Sequence, residues 1–164
     1  MAFAAMSCAH TAKLSSACNV VTPSDATASF GRPMHRVQIP FPSGLQRPSA
    51  AEPVDACDYT GGGDTLSVGL RSGSAAICEF RVRSGHHQTC PQIGEGPPVV
   101  RDGERNERVP GVPGVVVIGQ FDIMFESHGV VVTVVEYAKD SHSDLAGMLA
   151  LAPRAAANLD RLMR

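Results

Sequence analysis

The sequence predicts an α+β domain, an antiparallel β-sheet with a short N-terminal helix and a C-terminal helix packed on one face. Three observations predict it. Thr22-Pro23-Ser24-Asp25 carries the chemistry of a helix start, and Gly31 that of a helix stop. The middle of the chain holds alternating and Val-rich runs, which are strand signals. Leu145, Met148, Leu149, Ala152, Ala156, Leu159 and Met163 then recur at three- and four-residue steps, the apolar stripe of a helix. Helices at the ends with strands between them favour segregated layers over a parallel sheet.

Each element follows from its residues. Thr22 supplies a cap, Pro23 suits the first helical position, and Asp25 sits near the positive end of the helix dipole. This helix has about two turns, so packing must hold it. Residues 34–41 read as extended until Pro40 and Pro42 end the run, and 42–53 as loop. Residues 54–60 form a strand, Gly61-Gly62-Gly63-Asp64 a turn, and 65–70 a half-buried strand with Leu66, Val68 and Leu70 on one face. Residues 75–83 read as a further strand, with Ile77, Glu79 and Arg81 facing one way and Cys78, Phe80 and Val82 the other. Residues 84–113 hold five Gly, five Pro and a mixed-charge run from Arg101 to Arg108. They read as an exposed, solvated excursion, unusually long for a compact domain. Val115 to Ile118 is continuously apolar, and 121–137 form a hairpin about Ser127-His128-Gly129. Val130 to Val135 is apolar on both faces except at Thr133, which predicts a central strand covered on each side. Ser141 is the expected cap of the last helix, with Asp144 at the reciprocal position, and Pro153 predicts a kink or break within it. Residues 1–17 read as a disordered or remnant signal or anchor segment, and 18–164 as a single domain with its excursion at about 84–113.

Composition limits the function classes. The 164 residues are 43% hydrophobic and 18% charged, a globular balance. No apolar run reaches the roughly 18 residues that a membrane span needs. A net charge of −2 gives no electrostatic case for nucleic acid, and no Trp with 5% aromatics argues against a stacking platform.

The five cysteines are Cys8, Cys18, Cys57, Cys78 and Cys90, with no Cys-x-x-Cys among them. Cys18 and Cys57 are either two buried thiols or a bridge tying the N-terminal helix to the sheet. Such a bridge closes a loop of about 40 residues and contributes roughly 3–4 kcal/mol. Cys78 and Cys90 are open to three readings: a disulfide at the base of the excursion, free thiols, or a metal set with His86 and His87. The metal set needs a loop conformation, since adjacent side chains on a strand diverge, and its spacing matches no common zinc pattern. His128 reads as a turn residue, and His35 and His142 have no recognisable partner. Val109 to Gly114 contains two Val-Pro-Gly steps suited to type II turns, with no Lys and Ser/Thr after the glycines to make a phosphate loop. Gly-x-Ser-x-Gly, His-Glu-x-x-His and calcium-loop patterns do not occur. No catalytic residue and no cofactor is therefore expected.

Cys18-Asn19-Val20-Val21-Thr22-Pro23-Ser24-Asp25 followed by Phe30-Gly31-Arg32-Pro33, then Cys57-Asp58-Tyr59, the Val-Pro-Gly turn, the hairpin and the Ala/Leu-rich final helix form a recurrent order. It resembles a family of actinobacterial cell-envelope lipoproteins of unknown function. The resemblance implies export, a Cys18–Cys57 disulfide and lipid anchoring. Ala4-Ala5-Met6-Ser7-Cys8 suits the tail of a lipoprotein signal with Cys8 as the anchor, which requires a signal that begins upstream of Met1. Cys78, Cys90 and the excursion are additions to the family pattern. The resemblance carries no catalytic residues, and the expected partner is a small molecule, a lipid or an envelope protein; the alternatives are a small cytosolic metal-binding protein or enzyme using Cys78, His86, His87 and Cys90, and a subunit of a larger assembly.

Overall fold

The helix-start chemistry at Thr22 acts locally as the sequence predicts. In a computed structural model, which describes residues 16–37, 54–86, 90, 103–138 and 142–164, helix α2 (Pro23–Phe30) opens on a capping box. The Thr22 hydroxyl accepts from the Asp25 backbone N–H, and the Asp25 carboxylate accepts from the Thr22 N–H. Gly31 ends the helix at φ 64°, a left-handed conformation that favours glycine. Ahead of it lies a one-turn helix, α1 (Ala17–Val20), capped by Ser16. Cys18 thus lies within a helix of its own rather than before the first one. Four residues are too few to leave a periodic signal.

Among the described residues the sheet has seven antiparallel strands: β1 (His35–Val37), β2 (Val54–Gly61), β3 (Asp64–Ser72), β4 (Arg105–Glu107), β5 (Val116–Ile118), β6 (Asp122–Ser127) and β7 (Val130–Tyr137). Their spatial order is β1-β2-β3-β7-β6-β5-β4. Two meanders therefore join where β3 pairs with β7, in a register from Thr65↔Tyr137 to Ser72↔Val130. The β6–β7 hairpin turns at His128 and Gly129, with φ of 54° and 72°. Positive φ at both central residues is the type I′ geometry that matches strand twist.

On the first face of the sheet, Cys57, Tyr59, Leu66, Val68, Leu70, Ile123, Phe125, Val132 and Val134 form one core with α1, α2 and the C-terminal helix α4 (Leu145–Met163). Met148, Leu151, Ala152, Ala155 and Leu159 supply the α4 side of it. The Tyr59 hydroxyl donates to the Val21 carbonyl, and burial, set against Arg36 and abetted by Asp25 and Asp58, pushes its pKa up to about 12. Gly147 is where α4 meets α2: a Cβ there would stand 2.7 Å from Phe30 Cδ1. Gly147→Ala should destabilise the fold by about 1–3 kcal/mol despite alanine's better helix propensity. Urea unfolding measures this, and a stabilised variant would show that the two helices part without cost.

Four expectations are corrected. Residues 75–83 are not a strand: Ser74–Arg83 form helix α3, which lies on the second face, where Ala76 and Phe80 pack on Val117, Met124 and Val131. Ala76, Phe80 and Arg83 share a helical face, and Arg83 and Glu79 pair at i,i+4, so helical spacing outweighs the alternation. The central strand β7 is indeed covered on both sides. The stretch 84–113 is not all loop, because Arg105–Glu107 pairs with β5 as the sheet's edge. Asp144, not Ser141, caps α4, accepting from the Gly147 N–H at 2.8 Å, and Ser141 lies outside the described residues. Finally, of the kink or break expected at Pro153 the break does not occur, since α4 continues through it. The packing of both flanks of Pro153 on the core offsets the lost hydrogen bond.

Candidate functional site

Both cysteine pairs are bridged. Cys18 of α1 joins Cys57 of β2 with Cα atoms 5.1 Å apart, and Cys78 of α3 joins Cys90 at 5.6 Å. Bridges of this kind persist in oxidising compartments, which points to an extracytoplasmic location. No helix among the described residues is long and apolar enough to cross a membrane.

The Cys78, His86, His87, Cys90 metal set does not assemble. The two sulfurs are bonded to each other and offer no thiolate ligand. His86 is exposed, with Nδ1 3.1 Å from Ser84 Oγ. His87 lies outside the described residues, as does Cys8. Among the described residues no group of three or more His, Cys, Asp or Glu is placed to hold a metal ion. His35 and His142 are both exposed. His128, in the hairpin turn, also approaches Asp160 of α4 at 3.0 Å. Arg164 and then His128 hold the Asp160 carboxyl below its usual range.

The open feature is a trough of about 900 Å³ on the second face of the sheet, beside α3. Strand alternation builds its floor. Leu66, Val68 and Leu70 point into the main core, so Ser67 and Gly69 point the other way, beside Ala56 of β2 and Thr133 and Val135 of β7. Among the described residues a Cβ at Gly69 would meet nothing within 4 Å. Phe121 and the exposed Tyr137 line one part of the trough, and α3 contributes Glu79 and Arg83. Arg71 of β3 pairs with Glu79 at 2.6 Å.

Arg83 sits beneath α3 with its side chain only 4% exposed. It donates to Glu104 and, at 3.2 Å, to Asp122, and its other terminal nitrogen lies 3.8 Å from Met124 Sδ. Burial alone would lower its pKa, but the hydrogen bonds and charges of Glu104 and Asp122 outweigh burial and hold it above the ordinary arginine value. This cluster locks helix, edge strand and hairpin together on the trough's border.

A second cluster clasps the first face. Arg32, just past α2, pairs with Asp64 at 2.7 Å and Glu136 at 3.1 Å, and its guanidinium lies 5.3 Å from the Phe30 ring centre. The Glu136 side chain is 1% exposed and accepts from the Asp144 N–H at the start of α4. Burial pushes the Glu136 carboxyl up, against the pull of the Asp144 N–H and Arg32. A carboxyl raised above its unfolded value contributes stability that is present below the unfolded pKa and lost as pH rises through the folded one. Glu136→Gln should therefore gain on the wild type as pH rises from about 4 to about 7. Urea midpoints across that range measure it, and parallel pH profiles would show that ionising Glu136 costs nothing.

Neither ion cluster was singled out in the sequence. The i,i+4 spacing of Glu79 and Arg83 was the one local signal, and it became legible only once 74–83 was helical. Arg32, Asp64, Glu136 and Asp144 come from four separate elements and leave no local pattern. Compared with protein-family models, curated proteins and solved structures, the chain matches none.

Proposed function

We propose that the chain is an exported cell-envelope module of the lipoprotein kind that its sequence resembles, one that binds or presents a ligand rather than transforming it. The observation that carries this reading is the Cys18–Cys57 bridge, which joins the N-terminal helices to the sheet at the two cysteines of the recurrent sequence order. The trough is the ligand site in this reading. Its hydroxyls from Ser67 and Thr133, its ring from Tyr137 and its ion-paired border suit a small molecule with both polar and apolar parts. Cys8 is the proposed lipid attachment point.

A non-reducing peptide map of protein taken from its native cell fraction tests the reading. The expected result is a Cys18–Cys57 peptide in the envelope fraction. Free thiols at both positions in a soluble cytosolic fraction would overturn it. The same map tests the anchor: a mature N-terminal peptide beginning at a lipid-modified Cys8 supports it, and an unmodified Cys8 inside a longer peptide withdraws it.

A further inference from the structure

Nothing in the fold requires glycine at position 69. Gly69 stands inside β3, an interior strand, paired in unbroken register with Ala56 on one side and Thr133 on the other. Its φ is not positive, and among the described residues a Cβ there has no close neighbour. Gly61 and Gly147 differ: a Cβ would stand 2.2 Å from the Pro33 carbonyl oxygen at one and 2.7 Å from Phe30 Cδ1 at the other. Glycine in a strand interior weakens the strand, and it marks a bulge or a close approach to the backbone by a ligand or another chain segment. The unbroken register excludes the bulge.

The surroundings of Gly69 say what approaches. Ser67 and Thr133 are diagonal neighbours across β3 and β7, about 7–8 Å apart, and the other two corners of that cell are Gly69 and Val135. A flat ring with a polar rim fits between the two hydroxyls. Two residues further along β7 on the same face stands Tyr137, 64% exposed and one of two exposed large hydrophobic side chains among the described residues. The charged side chains that line the trough are ion-paired: Arg71 with Glu79, Arg83 with Glu104 and Asp122, and Glu136 with Arg32. An ionic ligand would compete with those pairs, whereas a neutral one would not.

We propose that the trough binds a neutral oligosaccharide, with one sugar ring laid over Gly69 between the Ser67 and Thr133 hydroxyls and the next stacked on Tyr137. A sugar ring has C–H groups on its faces and hydroxyls around its rim. The faces suit the bare Gly69 backbone and the Tyr137 ring, and the rim suits the two hydroxyls. A volume of about 900 Å³ is at the upper end for small-ligand sites and holds more than one ring. This rests on the binding reading above and supplies its ligand class.

Purified, oxidised full-length protein is titrated calorimetrically with neutral oligosaccharides of glucose, mannose, galactose and arabinose. At least one is expected to bind. Its affinity should hold as NaCl rises from about 0.1 M to about 1 M, where screening shortens from about 10 Å to about 3 Å. Tyr137→Ala should weaken binding about tenfold, the scale of one stacking contact, with the urea midpoint unchanged. Gly69→Val should abolish binding while the urea midpoint holds or rises, since a β-branched residue suits a strand. Absence of binding across the panel overturns the proposal, as does binding left unchanged by either variant. Binding that salt abolishes overturns the neutral class. A lowered urea midpoint in Gly69→Val also overturns the site, because the chain itself then fills the space over Gly69. None of these outcomes alters the cysteine peptide map, so the export reading stands or falls separately.

Discussion

Replacing Cys18 and Cys57 together by alanine should cost about 4 kcal/mol of stability, because the bridge spans 39 positions of chain. That is a large share of the roughly 5–15 kcal/mol that separates a folded domain from its unfolded ensemble. The bond does more than shorten the unfolded chain. It pins α1 over β2, where Ala17 donates from its backbone N–H to Asp55 at 3.0 Å, and α1 leads directly into the capped start of α2. Urea unfolding of the double variant against the wild type measures the effect. A loss below about 1 kcal/mol would mean that the apolar contacts of Val20 and Val21 hold the N-terminal helices unaided.

Arg83→Met should cost about 3–5 kcal/mol, since it removes the cation from beside two carboxylates, one of them almost wholly buried. The side chains of Glu104 and Asp122 are 3% and 16% exposed. The apolar stem of methionine can fill the space beside Met124, so the loss reports charge rather than volume. The double variant Arg83→Met/Glu104→Gln should recover part of the loss, and a full double-mutant cycle gives the coupling. If the single and double variants unfold alike, Glu104 is satisfied without Arg83 and the cluster is not a unit.

How much the sequence revealed depends on how local the cause was. The α2 helix is specified by Thr22, Pro23, Asp25 and Gly31 within ten residues, and all four act as expected. The β6–β7 hairpin follows from a Val-rich strand and a two-residue turn, and α4 from a stripe sustained over 19 residues. Helix α3 was misread because the helical spacing of Ala76, Phe80 and Arg83 competes with a two-residue alternation in the same ten residues, and the ion pairs to Arg71, Glu104 and Asp122 that favour the helix reach outside it. The three-residue strand β4 exists through its pairing with β5 and has too little sequence to announce it, whereas β1 falls within the run 34–41 that reads as extended. The trough leaves no local pattern in the sequence. Its floor depends on which neighbours lie beside Gly69, and that is a property of the register.

The join between the two meanders also sets how fast the molecule can assemble. Hairpins β2–β3 and β6–β7 each form from adjacent chain, whereas β3 and β7 bring together partners 58 to 72 positions apart. Closing so long a segment costs entropy before any ladder hydrogen bond is gained, and slow folding accompanies such distant pairing. Val68, Leu70, Val132 and Val134 line that seam. Truncating them should retard refolding more than equal truncations at the far end of either meander, making the seam the kinetic bottleneck of the fold as well as the middle of its core.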